Sequence, residues 1–161
     1  MVLVVLVSAF VAVAPVPFEL GPAWAEFSRE PAGRSTKTEI EVGTLGYDHA
    51  RGQLDFWFRR TVTSGIKNEE TVTWTDTRTC SAARPLLASI RDIPVPKFAP
   101  VGSSKGPPVM LDGVSYSLRT YSNQGLLTEQ TNVGTPLATW VDAAVGILSQ
   151  CWSTRVPQRT R

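Results

Sequence analysis

Residues 70–80 read Glu-Thr-Val-Thr-Trp-Thr-Asp-Thr-Arg-Thr-Cys. Thr71, Thr73, Thr75, Thr77 and Thr79 fall on one side of an extended chain; Val72, Trp74, Asp76 and Arg78 fall on the other. A period of two over this length predicts a strand. The branched threonine carbon favours extended backbone while its hydroxyl stays hydrated, so the threonine side is expected to face solvent. There is one such row and no repeat to extend it, which argues against a solenoid ladder.

Working back toward the N-terminus, Gln53 to Thr63 alternates in the same way. Leu54, Phe56 and Phe58 share one face, with Asp55, Trp57 and Arg59 on the other. Thr38, Ile40 and Val42 alternate with Glu39 and Glu41. Turns are expected at Asp48-His49-Ala50-Arg51-Gly52 and from Ser64-Gly65 to Asn68. Forward of Ser81 the period lengthens. Leu86, Leu87, Ile90 and Ile93 predict a short helix over Arg84 to Asp92, with Pro85 tolerated in its first turn.

Residues 94–108 carry five prolines and two glycines, which predicts a long irregular connection. Gly102-Ser103-Ser104-Lys105-Gly106 within it lacks the ending and preceding strand of a phosphate loop. Asp112-Gly113 is a two-residue hairpin signal between Val109-Met110-Leu111 and Val114 to Tyr121. Another turn at Ser122 to Gly125 leads to a strand over Leu126 to Asn132. Thr135-Pro136 then has the chemistry of a helix start, a hydroxyl cap followed by proline. Leu137, Trp140, Val141, Ala144, Leu148 and Cys151 follow on one helical face, with Trp140 as a core anchor.

The expected fold is α+β: an antiparallel sheet of about six strands in βββα-βββα order, with the C-terminal helix packed on one face. The alternative architecture is a curled half-barrel around that helix.

The N-terminus has the layout of a signal peptide. Val2 to Ala14 is uncharged and apolar, too short to span a bilayer, and Ala23-Trp24-Ala25 supplies the small residues a signal peptidase reads. The expected cut follows Ala25. A second position after Ala14 would place Pro15 directly beyond it. No Lys or Arg precedes the apolar run, so an uncleaved anchor and a buried core strand or helix are the competing readings. The resulting division is a signal peptide over 1–25, a flexible lead-in over 26–35, one domain over 36–152, and a basic tail over 153–161.

A net charge of +2 with no concentrated basic cluster excludes a dedicated nucleic-acid binder. Cys80 and Cys151 are the two cysteines, and an even count in an exported chain predicts a disulfide. With one histidine, His49, no metal site is expected, nor any cofactor. No serine sits in a Gly-x-Ser-x-Gly elbow, and no catalytic residue is assigned.

The candidate binding residues are Trp57, Arg59, Trp74 and Arg78, which share the outer side of two adjacent strands. The reading is therefore a periplasmic or secreted protein, most simply a non-catalytic envelope domain. Its partner would be a protein, polymer or small molecule. A small hydrolase and a membrane-tethered structural module are the alternatives, with membrane contact expected only where the leader is retained.

Overall fold

The computed structural model describes residues 17, 20–33, 36–65, 69–94, 113–122 and 125–159. The apolar run Val2 to Ala14, the strand expected at Val109–Leu111 and most of the proline-rich connection lie outside them.

Four strands come first: β1 (Ala23–Pro31), β2 (Lys37–Asp48), β3 (Gln53–Thr63) and β4 (Glu70–Asp76). A short helix α1 (Ala83–Ser89) follows and runs into a 3₁₀ turn at Ile90–Asp92. Strands β5 (Val114–Ser122) and β6 (Gly125–Thr131) and helix α2 (Pro136–Leu148) complete the order. The six strands make one sheet, β4-β3-β2-β1-β5-β6, antiparallel at every pairing. The sheet does not close into a barrel.

The element order departs from two βββα halves at one strand. β1 covers residues expected to be a leader end and a flexible lead-in, yet it lies between β2 and β5 near the middle of the sheet. Ala25 and Phe27 are buried, and Ala25 is in register with both Val42 and Thr120. A fold boundary at Glu26 is thus replaced by a continuous strand. At the other end the tail is also used: Ser153 makes a two-way backbone bridge to Trp74, at 2.7 and 2.9 Å.

Both helices cover one face. Ala25, Phe27, Ile40, Val42, Phe58 and Leu118 rise from the sheet to meet Ala83 and Leu86 of α1 and the buried stripe of α2. That stripe is Leu137, Ala138, Val141, Ala144 and Leu148, the 3.6-residue spacing of an amphipathic helix. Thr135 caps α2 by accepting the Ala138 N–H at 3.2 Å. Trp140 stands edge-on to Phe27, ring centres 5.1 Å apart, and donates its indole N–H to Ser89. It therefore ties α2, α1 and β1 together.

The middle of the threonine row lies on this covered face, while Thr71 and Thr79 at its ends are exposed. Thr73 and Thr75 are in register with Arg60 and Phe58, and together with Thr77 they are buried. Arg84 of α1 reaches Thr77, and the chain returning after α2 reaches the Thr73 end. Trp152 stacks against the Arg60 guanidinium at 4.7 Å, while Arg60 Nε donates to Thr73 Oγ1. β4 also stops at Asp76, because that carboxylate accepts the Arg78 and Thr79 backbone N–H groups and turns the chain.

Cys80 and Cys151 form the expected disulfide, Cα atoms 5.6 Å apart. It fastens the end of α2 to the turn after β4. Such a bond persists in non-reducing surroundings. Among the described residues no helix is long and apolar enough to cross a membrane.

Candidate functional site

The face of the sheet opposite the helices has two parts. One end is apolar: Leu20, Leu45, Trp57 and Trp74 form a second buried cluster, with Ala23 and Val72 at its margin. Trp57 is fully enclosed, and its indole N–H donates to the Leu20 carbonyl at 2.9 Å. Its ring lies across Gly43, its register partner on β2, where an added methyl would overlap the indole. Only glycine leaves that space.

The residues expected to form a binding patch are here. Trp57 and Trp74 do come together, ring centres 6.0 Å apart, and the Arg59 guanidinium sits 5.8 Å from the Trp74 ring. All three are buried. The patch forms but is not exposed, because Leu20 and Ala23 pack with it. Arg78 belongs elsewhere, bonding Asp76 and the Gln158 carbonyl.

Asp76 illustrates a structural use of charge. Burial pushes its pKa up, but the Arg78 side chain and the backbone N–H groups of Thr79 and Arg78 outweigh that and hold it below the ordinary aspartate value. A lowered folded-state pKa stabilises the fold above the ordinary value, and the contribution is lost as pH falls through the folded-state value. Asp76→Asn should keep the turn but lower stability at neutral pH. It should also flatten the decline of the urea midpoint in acid, measured from pH 7 down to pH 3.

Asp55 is a second such anchor, and nothing in the spacing announced it. It is wholly buried and accepts from Arg84 at 2.7 Å, Thr77 at 3.0 Å and Arg51 at 3.2 Å, which docks α1 on β3. His49 lies on the exposed β2–β3 turn, edge-on to Tyr47 at 5.1 Å. Its neighbour Asp48 is held by Arg51 at 2.6 Å.

The remainder of the open face is polar and contains a cleft of about 490 Å³. Register builds it. Arg59, Glu41, Glu26 and Arg119 lie in one row across β3, β2, β1 and β5. Arg59 binds Glu41 at 2.7 Å, and Arg119 approaches Glu26 at 3.5 Å. In the next row Glu39, Ser28, Ser117 and Gln130 are neighbours, the two serine hydroxyls 2.7 Å apart. Lys37 closes the cleft's end against Glu39 at 2.9 Å.

No known protein family, curated protein or solved structure matches this chain.

Chemistry therefore has to be read from the cleft itself. Burial and then the nearby Glu39 charge raise the Glu26 pKa, with Arg119 opposing them. The hydrogen bond and charge of Glu39 raise that of Lys37 against the effect of burial. The lining offers carboxylates already oriented by cations, hydroxyls, and the amides of Gln130 and Asn132. Among the described residues no three carboxylate, cysteine or histidine groups gather to hold a metal. Sequence reasoning found Glu39 and Glu41 as one outward face. It missed Glu26 and Arg119, whose place follows from the position of β1.

Proposed function

We propose that this is an exported, disulfide-bonded binding domain that engages its partner through the polar cleft on the open sheet face. The observation that carries the proposal is the cleft itself, lined among others by Glu26, Ser28, Lys37, Glu39, Ser117 and Arg119. Its volume falls within the range of small-ligand sites, about 300–1,000 Å³. Its lining is polar where such sites are usually apolar, so a hydroxyl- and amide-rich ligand fits better than a hydrophobic one. A segment of envelope glycan has that chemistry. The paired, pre-oriented charges offer directional hydrogen bonds to hydroxyls without needing a counter-ion.

Export is supported by the disulfide and by the apolar run Val2 to Ala14. The buried position of Leu20 and Ala25 favours processing upstream of Pro17, and the position after Ala14 meets that condition. An uncut run would tether the same domain at a membrane surface.

The hydrolase alternative has one observation in its favour. Glu26 and Glu41 are register neighbours, and Glu26 has a raised pKa, as a general acid requires. Against it, the two arginines neutralise the row and the cleft stands open to water.

Titration of the isotope-labelled protein with soluble peptidoglycan fragments, followed by amide NMR, tests the binding reading. Shifts should concentrate at Glu26, Ser28, Lys37, Glu39, Ser117 and Arg119, and Arg119→Ala should weaken binding about tenfold, the loss of one charged hydrogen bond. Shifts confined to the arginines of the tail, or none at millimolar fragment, would contradict it.

A further inference from the structure

Charge in the cleft is unevenly spread around one buried serine. Ser28 is only 8% exposed and lies in register with Glu39 on β2 and Ser117 on β5. Glu26 and Glu30 precede and follow it on the same wall of the cleft, each about 7 Å along the strand. Ser28 therefore has a carboxylate on three of its four sides and the Ser117 hydroxyl, 2.7 Å away, on the fourth. Two cations line the cleft against these three carboxylates. Lys37 is drawn to Glu39 at 2.9 Å, while Arg119 stays 3.5 Å from Glu26, beyond the roughly 2.7–2.9 Å of a tight charged hydrogen bond. Burial and then the Glu39 charge raise the Glu26 pKa in spite of Arg119, so positive charge is short here. The carboxylates surround the serines without converging: among the described residues no three such groups come together to hold a metal ion.

We infer that the Ser28–Ser117 pair, set among Glu26, Glu30 and Glu39, is an ammonium subsite, and that the glycan segment taken by the cleft carries a free amino group, as a de-acetylated amino sugar does. The inference rests on the reading of the cleft as a glycan site. A single hydrogen bond between two hydroxyls leaves acceptor lone pairs unused, and an ammonium group brings three donors and no acceptor. It can donate to a serine oxygen in the floor while the surrounding carboxylates balance its charge. Unlike a metal ion, it needs no closed shell of ligands. The sugar's hydroxyls then meet the amides of Gln130 and Asn132 in the same cleft. An N-acetylated sugar keeps those hydroxyls but loses the charge, and its methyl group would lie against a polar floor.

Amide NMR titrations at pH 6, where sugar amines are protonated, test it with three probes: glucosamine trisaccharide, its fully N-acetylated counterpart, and trilysine. The glucosamine trisaccharide should bind about tenfold tighter than the acetylated one, the worth of one charge-assisted hydrogen bond. Its largest shifts should fall at Ser28 and Ser117. Trilysine, with the charge but not the sugar, should bind more weakly than the glucosamine trisaccharide. Glu30→Gln, at an exposed position, should remove most of the preference for the free amine. Equal binding of the two trisaccharides within the cleft would overturn the inference and leave the cleft a glycan site. Trilysine binding as tightly as the glucosamine trisaccharide would overturn it as well, because charge alone would then be read. No shift in the cleft with either trisaccharide would overturn the inference together with the glycan reading beneath it.

Discussion

A chain beginning at Glu26 should fail to fold, whereas one beginning at Pro15 should fold. The shorter chain lacks Leu20, Ala23, Trp24 and Ala25. Leu20 and Ala25 are buried, and all four pack in or against one of the two apolar clusters. Trp57 would lose both its cover and the acceptor of its indole N–H. Loss of one buried leucine costs about 2–5 kcal/mol, and a buried donor left without a partner costs a further 1–3 kcal/mol or so. Trp24, edge-on to Phe56 at 5.9 Å, adds to that. The sum approaches the whole stability of an ordinary domain, about 5–15 kcal/mol. Amide NMR spectra distinguish the outcomes: dispersed signals from the Pro15 chain, collapsed ones from the Glu26 chain. Native-like dispersion from the Glu26 chain would show that the segment before β1 is dispensable.

Removal of the disulfide is the second large effect expected. Cys80 and Cys151 are 71 residues apart in sequence, and restraining a loop of that length in the unfolded chain contributes about 4 kcal/mol in the chain-entropy view. The native state also depends on the bond locally. It holds the start of the returning segment whose Trp152 covers Arg60 and whose Ser153 bridges Trp74. The Cys80→Ser/Cys151→Ser protein should therefore unfold at a urea concentration lower by about 2 M, for a domain with a denaturant slope near 2 kcal/mol/M. Its β4 amides should exchange faster than those of β1 and β2. An unchanged midpoint would mean that packing of α2 alone fixes that end of the chain.

Helix α2 was the most legible element, because Thr135-Pro136 and the stripe from Leu137 to Leu148 are local signals that the tertiary structure only completes. The hairpins around β2, β3 and β4 were legible for the same reason. β1 was not. Ala25, Phe27 and Arg29 alternate with Glu26, Ser28 and Glu30, but Ala23-Trp24-Ala25 also satisfies the small-residue rule of a cleavage site. The apolar run before it made that reading the stronger one. The rest follows from this one strand. Pairing of Trp57 with Trp74 can be read from adjacent strands, yet their burial cannot, since in the sequence Leu20 and Ala23 read as part of a leader. Glu26 could not be placed beside Glu41 and Arg119 without a strand between β2 and β5. The threonine row failed for a different reason. Period two separates the faces of a strand but does not say which face is covered, and Trp152, which stacks on the Arg60 bonded to Thr73, comes more than seventy residues later.

The fold requires the whole of β1 and Leu20 ahead of it, and the intact mass of the protein recovered from its producing cells tests this most directly. The expected chain starts upstream of Pro17, two hydrogens lighter than its reduced sequence because Cys80 and Cys151 are joined. A folded protein starting at Glu26, or a mass showing free thiols, would contradict it.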